Sequence, residues 1–411
     1  MKVSFVRMAV AAAMVPAAVG MSGGALAQAK GKISGDVVKI GVLTDMSGVY
    51  SDLGGQGAVI AVQMAIDDFK AQHKPKFDIK MVYADHQNKA DVGSNKVREW
   101  YDTEGVDMVT DVLNSGVALA VAKVTQEKKR VLMVVGAGST RLTDQDCTPN
   151  TVHYAYDTYS LANVAGKAIV KNGGNTWYFL TADYAFGQSL EKDASDVIKA
   201  NGGKILGSVR HPLNASDFSS YLLQAQASKA KIIGLANAGG DTINSIKVAS
   251  EFGVTKSQSL AGLLMFITDI HSLGLQTTQG MLLTSGFYWD KDDETRKFSK
   301  RFFEKAKRMP TMVQAGDYSA VTTYLKAITA AGTDDAAEVM KKMKELPIND
   351  FFAKGGKIRV DGRMVHDMYL MQVKKPAESK YPWDYYTIKG VVAGNDAFQP
   401  LALSHCPLVK K

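Results

Sequence analysis

The stretch Val37–Gly57, VVKIGVLTDMSGVYSDLGGQG, constrains the fold more than any other part of the chain. Val37, Val38, Ile40, Val42 and Leu43 make an apolar, largely β-branched run of strand length. A Ser/Gly-rich loop follows, with Ser47-Gly48 and then Gly54-Gly55-Gln56-Gly57. Beyond it Ala58, Val62, Ala65, Ile66 and Phe69 recur on one helical face, with Asp67, Asp68 and Lys70 off it. Strand, small-residue loop and helix form the opening unit of an open α/β sheet, whose ligands bind at the carboxyl ends of the strands. The loop over 44–51 is therefore expected to face a crevice.

The same alternation runs through most of the chain, which argues for parallel sheets flanked by helices. Strands are expected over 77–83, 106–113 and 131–135, with helices over 90–101 and 115–128. A Pro/Cys/Asn break at 146–150 precedes an unusual aromatic segment, His153-Tyr154-Ala155-Tyr156-Asp157-Thr158-Tyr159. Strands over 176–181, 204–209 and 231–236 then alternate with helices over 185–200, 219–228 and 241–252, and 280–285 reads as a further strand. From Asp292 the pattern is helical as far as Lys344, short strands follow at 357–360 and 368–373, and the tail from Tyr381 reads as irregular. Two βα runs of similar size, one before Tyr156 and one after, predict two similar lobes.

Residues 1–27 carry a basic start (Lys2, Arg7), an apolar run over 8–20 and a small-x-small site at Ala25-Leu26-Ala27, the pattern of a cleaved export signal. The run is too short to span a membrane, and no Cys follows the cut to take a lipid. Removing these residues from the 411 leaves 384, enough for two lobes with separate cores, and lowers the formal net charge from +8 to +6. Those charges are spread over helices, which argues against a nucleic-acid partner. In an oxidising compartment the two cysteines, Cys147 and Cys406, are either bridged or free thiols, and the compartment favours the bridge. Two cysteines cannot build a Cys₄ metal site.

Catalytic and cofactor motifs are missing or broken. Gly136-Ala137-Gly138 follows a strand, but Arg141 stands where a dinucleotide fingerprint needs its third glycine. The one Gly-x-Ser-x-Gly match, Gly20–Gly24, falls within the export signal. Asp85-His86 could be two metal ligands, but without a third they read as a hydrogen-bonded loop. No catalytic residue, metal or cofactor is expected.

What remains is a set of strand ends rich in Ser, Gly and aromatic residues. Ser47-Gly48, Asn114-Ser115-Gly116 and 136–140 occupy such ends in the first half. Ser115 opens a helix, where it is either a simple N-cap or a donor to a carboxylate, the N-cap being the simpler reading. In the second half Asp183-Tyr184-Ala185-Phe186-Gly187 and Asn237-Ala238-Gly239-Gly240-Asp241 take equivalent places, where Tyr184 and Phe186 either join the core or line a cleft.

As a set, Lys39-Ile-Gly-Val, Met46-Ser-Gly, the Gly-Gly-Gln-Gly helix entry, Asn114-Ser-Gly-Val-Ala-Leu-Ala and Tyr184-Ala-Phe-Gly resemble the leucine/isoleucine/valine-binding proteins, periplasmic receptors of ABC importers. The resemblance covers nearly all of the mature chain in order. It implies an α/β type I periplasmic binding fold: two doubly wound lobes with parallel sheets, joined by three crossovers near 156–159, 286–290 and 362–366. Lobe I would then be 28–156 plus 287–363, and lobe II 157–286 plus 364–411. The resemblance further implies a monomer in the periplasm, with a small-molecule carboxylate ligand and an inner-membrane ABC permease as partners.

In that family the ligand's α-carboxylate is held at the positions matching Ser115 and Ala137-Gly138-Ser139, whose chemistry is suitable here. Other positions depart from the amino-acid receptors. Leu53, Phe186 and Ala238 stand where tyrosines are expected, and no acid lies near 263–265, where a Glu should pair with the ligand's ammonium. A buried ammonium without a counter-charge costs several kcal/mol. Either another acid, Asp183 or Asp241, takes over, or the ligand has no ammonium, and the second reading predicts an aromatic or hydrophobic carboxylate. The expected ligand-binding residues are Ser47, Ser115, Ala137, Gly138, Ser139, Tyr156, Tyr159, Tyr184, Phe186, Asn237, Ala238 and Met265, with Phe266 and Tyr288 as further flanking aromatics. The same fold also serves as a sensor in signalling proteins, but the chain offers no output domain.

Overall fold

The computed structural model describes residue 1 and residues 32–410; the export signal read in residues 1–27 lies outside the described segment. The first half forms β1 (Val37–Thr44), α1 (Gly55–His73), β2 (Asp78–Asp85), α2 (Ala90–Glu99), β3 (Met108–Asp111), α3 (Ser115–Glu127), β4 (Val131–Val134) and β5 (Thr151–His153). These strands make one parallel sheet in the order β2-β1-β3-β4-β5. Alternation along the strands feeds two cores. Val38, Ile40 and Val42 pack with Ala58, Val62 and Ile66 of α1, whereas Leu43, Val109 and Val134 pack with Val97, Trp100, Val117 and Val121.

The second half repeats the plan. After α4 (Thr158–Leu161), a π-helical turn and α5 (Lys167–Lys171) come β6 (Thr176–Ala182), α6 (Ala185–Ala200), β7 (Lys204–His211), α7 (Ser219–Ala227), β8 (Ile232–Ala236), α8 (Gly240–Glu251) and β9 (Ser259–Gly262). Their parallel sheet runs β7-β6-β8-β9, so both sheets reverse strand order beside their first strand. The crevice beyond the carboxyl ends at such a reversal is where open α/β sheets bind ligands.

The chain then changes sides. Two short helices, α9 (Ile267–Leu273) and α10 (Leu275–Thr278), lead to β10 (Leu282–Ser285), and α11 (Asp293–Ala306), α12 (Met312–Ala331) and α13 (Ala336–Glu345) follow. The α12 helix packs along α1 and ties to its entry loop: Thr311 Oγ1 donates to the Leu53 carbonyl at 2.6 Å and Gln314 Nε2 to the Gly54 carbonyl at 3.1 Å. After β11 (Ile348–Asn349), β12 (Lys354–Ile358) and β13 (Met364–Val365), the chain returns to pair β14 (Met368–Val373) and β15 (Tyr386–Val392) antiparallel beside β10.

Arg363, fully buried, joins two of the crossing segments. Its guanidinium donates to the carbonyls of Tyr156 (2.9 Å) and Tyr154, and lies 3.5 Å from the Asp157 carboxylate. Cys147 and Cys406 form a disulfide, Cα–Cα 5.6 Å, which ties the C-terminal tail to the loop before β5. Among the described residues no helix is long and apolar enough to cross a membrane.

Two sequence expectations are corrected, and two short strands go unread in the sequence. The tail from Tyr381 is not wholly irregular, because Tyr386–Val392 forms an edge strand. Strands β5 and β9 have three and four residues, too few to display a period. The strand expected over 106–113 is shorter, Met108–Asp111, and it stops there because Asp111 and Val112 take φ of 72° and 53° and turn the chain out of the extended region.

Candidate functional site

Strand ends from both sheets converge on one cleft. It is lined by Tyr50 and Leu53 after β1, Leu113 after β3, Gly136 and Gly138 after β4, and Tyr156 from the first crossing segment. From the second sheet come Tyr184 and Phe186 after β6, Ala238 after β8 and Leu264 after β9. None of these residues carries a formal charge. The four aromatic rings supply apolar area, and the three phenols among them supply directed donors. Burial raises the pKa of Tyr50, Tyr156 and Tyr184, so all three hydroxyls keep their protons.

One wall is polar backbone. The Tyr156 hydroxyl donates to the Gly136 carbonyl, and the Ser139 N–H donates to Ser115 Oγ at 3.2 Å. The Gly138 N–H has no acceptor among the described residues. Gly138 is required here by contact rather than by φ, since a Cβ would stand 2.8 Å from the Tyr156 ring and 3.0 Å from the Phe186 ring. Ser115 begins α3 but is not its cap, which corrects the simpler sequence reading. Asn114 Oδ1 accepts from the Gly116 and Val117 amides, and this leaves Ser115 Oγ to meet the 136–140 loop. With the Gly116 and Val117 amides taken by Asn114, the Ser115 amide at the start of this 13-residue helix, the Gly138 N–H and the Ser115 hydroxyl suit a carboxylate.

The two halves touch across the cleft. Tyr50 and Tyr184 place their hydroxyls 2.5 Å apart, and the Gly240 N–H donates to the Val49 carbonyl at 3.0 Å. That approach requires Gly239, whose φ is 57° and whose added Cβ would lie 2.3 Å from the Val49 oxygen. On α6, Phe186, Ser189 and Asp193 share one face. Ser189 Oγ meets Ser139 Oγ at 2.7 Å, and Asp193 Oδ2 accepts from Thr140 Oγ1 at 2.9 Å and from Thr158 Oγ1 at 2.6 Å.

The expected residues thus divide. Gly138, Tyr156, Tyr184, Phe186 and Ala238 line the cleft together, Ser115 and Ser139 meet at its polar edge, and Ala137 stands behind Gly138 with its N–H given to the Val112 carbonyl and its own carbonyl to His153. Four lie elsewhere. Ser47 Oγ donates to Asp85 at 2.8 Å and braces the loop after β1. The Asn237 side chain is used up by His211, Ser245 and Thr242 inside the second lobe. Tyr159 is half-buried on α4 and away from the lining, and Met265 turns into a neighbouring small cavity with Phe266, Tyr288 and Met312. Leu264, one residue earlier, faces the cleft in its place. Tyr50 was missed although it lies in the same kind of strand-end loop as Tyr184, and that shared context was the available signal.

The family model described as periplasmic binding protein matches residues 37–380. A Leu/Ile/Val-binding protein homolog 6 from Brucella melitensis is 24% identical over 363 residues, covering 84% of this chain and 90% of the relative. The crystal structure of a periplasmic binding protein from Burkholderia mallei superposes with a TM-score of 0.90 at 57% identity, covering 92% of this chain and all (100%) of that one. A branched chain amino acid ABC transporter periplasmic ligand-binding protein from Burkholderia xenovorans gives 0.81 at 40% identity, covering 91% and 100%. In fold alone, a solute binding protein of an ABC transporter from R. palustris, in complex with benzoate, gives 0.77 at 19% identity over 87% of this chain and 97% of that one.

Proposed function

The chain belongs to the periplasmic binding proteins of the branched-chain amino acid ABC transporter class, a family of receptors rather than enzymes, and we propose that its ligand is an aromatic or hydrophobic carboxylate. The observation that carries this reading is the cleft's lining. Tyr50, Tyr156, Tyr184 and Phe186 surround a wall of amides and hydroxyls at Ser115, Gly138 and Ser139, with no charged side chain among the lining residues. Such a wall can hold an anion through N–H and O–H donors and cover an apolar body with rings. It offers no counter-charge for an ammonium. A fold-level neighbour in complex with benzoate is consistent with that chemistry.

In this reading the lobes, 28–156 plus 287–363 and 157–286 plus 364–411, close on the ligand in the periplasm after removal of residues 1–27. Closure adds second-lobe contacts that an open form lacks, so the ligand shifts the population toward the form presented to the permease.

A second reading, an amino-acid ligand, is favoured by one observation. Asp241 is buried at the start of α8 with Oδ1 unpartnered among the described residues, close enough to raise the pKa of both Tyr50 and Tyr184. A thermal-shift screen of the mature protein separates the two readings, because a ligand that binds only the folded state raises the midpoint. Benzoate, cinnamate and medium-chain fatty acids are set against leucine, isoleucine and valine. A shift with the aromatic or fatty acids alone is the expected result. A shift with leucine would overturn it and assign the counter-charge to Asp241.

A further inference from the structure

We propose that His153 is a positioning residue for the ligand's carboxylate, acting through the Ala137–Gly138 peptide; the inference rests on the carboxylate reading of the cleft. Three consecutive carbonyls of the loop after β4 are taken by one crossing segment. The Tyr156 hydroxyl donates to Gly136 O, His153 Nε2 to Ala137 O at 2.7 Å, and the Thr158 N–H to Gly138 O at 2.7 Å.

A trans peptide points its C=O and N–H in opposite directions, so fixing each carbonyl fixes the next residue's amide. The Gly136 carbonyl thus fixes the Ala137 N–H, which donates to Val112 O at 2.9 Å. The Gly138 carbonyl fixes the Ser139 N–H, which meets Ser115 Oγ at 3.2 Å. The Ala137 carbonyl, held by His153, fixes the Gly138 N–H, the amide in this run without an acceptor among the described residues. Glycine on one side makes rotation of that peptide inexpensive. Without a donor on the Ala137 oxygen, the rotated peptide would present a carbonyl to an incoming anion. His153 holds the donor orientation.

The histidine is built for that single task. It is fully buried in β5, and burial followed by the charge of Arg363 lowers its pKa well below the usual histidine value, so it is neutral. Because its partner is a carbonyl, Nε2 carries the proton, and Nδ1 has no hydrogen-bond partner among the described residues. Leucine can fill the same space without donating. Glutamine can carry an N–H to a similar place.

The test compares His153→Leu and His153→Gln with the wild type, using benzoate against benzamide as probes. The leucine variant is expected to bind benzoate about tenfold or more weakly and to lose the preference for benzoate over benzamide. The glutamine variant should recover both to within about threefold. Hydrogen exchange of the 136–139 amides should accelerate in the leucine variant alone. Wild-type affinity and preference in His153→Leu, or a glutamine variant as weak as leucine, would overturn the proposal. Should the leucine variant not fold, the ¹⁵N spectrum of the wild-type imidazole decides: a proton on Nε2 in free and saturated protein supports the role, and a proton on Nδ1 overturns it. Should leucine bind and benzoate not, the aromatic reading fails, and leucine against leucinamide serves as the probe pair. A wild type that binds neither carboxylate overturns the proposal together with the reading beneath it.

Discussion

Tyr50 and Tyr184 come from loops 134 residues apart in sequence, one after the first strand of each sheet, and their hydroxyls meet 2.5 Å apart across the cleft. Tyr50 is fully covered by this arrangement, and each phenol is the other's partner. Tyr50→Phe and Tyr184→Phe should each weaken ligand binding by about 1 kcal/mol, because the closed form loses a bond that the open form does not make. The double variant should be little worse than either single one, since either change removes the shared bond. Calorimetric titration of the four proteins checks this, and additive losses would mean that the hydroxyls serve separate partners.

Ser115 and Ser139 stand at the polar edge of the cleft, joined by the Ser139 N–H. Ser115→Ala and Ser139→Ala are each expected to weaken binding by roughly 1–3 kcal/mol through loss of a hydrogen bond to a buried carboxylate. Ser139→Ala also removes the cross-cleft contact with Ser189, so it should be the more damaging of the two. Wild-type affinity in both variants would exclude this edge as the anion site.

Asp193 joins α6 to Thr140 and Thr158, and burial raises its carboxyl to about 6 despite those two hydroxyl donors. Its unfolded value is about 4, so the folded protein binds this proton more tightly. Stability attributable to Asp193 should therefore rise as pH falls from above 6 toward 4, and be lost as pH rises through 6. The difference between wild type and Asp193→Asn isolates it from other groups, including His86 and His366, which burial lowers to about 4 and which act in the opposite sense. Denaturation at pH 7.5 and pH 4.5 (chosen to bracket the about 4 to 6 window) should show a relative change on the order of 2 kcal/mol. A difference independent of pH would contradict the assignment.

Arg363→Met should destabilise the protein by about 3–5 kcal/mol, because it leaves the Asp157 carboxylate and the carbonyls of Tyr154 and Tyr156 buried without their donor. The urea midpoint measures this. Losses should concentrate where the crossing segments meet, so proteolysis near 154–158 should accelerate together with the fall in midpoint.

Local pattern determined most of the architecture. The β-branched run at 37–43, the glycine entry at 54–57 and the one-sided helix after it specify a strand–loop–helix unit by themselves, because alternation and helical period are properties of neighbouring residues. For the same reason the strand-end segments that carry Gly138, Tyr184, Phe186 and Ala238 were legible in the sequence, although whether Tyr184 and Phe186 face the cleft or the core was not. What lies between the lobes was decided by packing. No periodicity says whether Leu264 or Met265 faces the cleft, since a shift of one residue exchanges the two sides. Asn237 is a suitable donor in sequence, and only the folded second lobe shows its amide consumed by His211, Ser245 and Thr242. The pairing of Tyr50 with Tyr184, and the hold of His153 on the Ala137 carbonyl, join segments whose distance is set by how the sheets and the crossing chain come together. Such contacts depend on the closed tertiary arrangement, which a linear pattern of residues does not encode one position at a time.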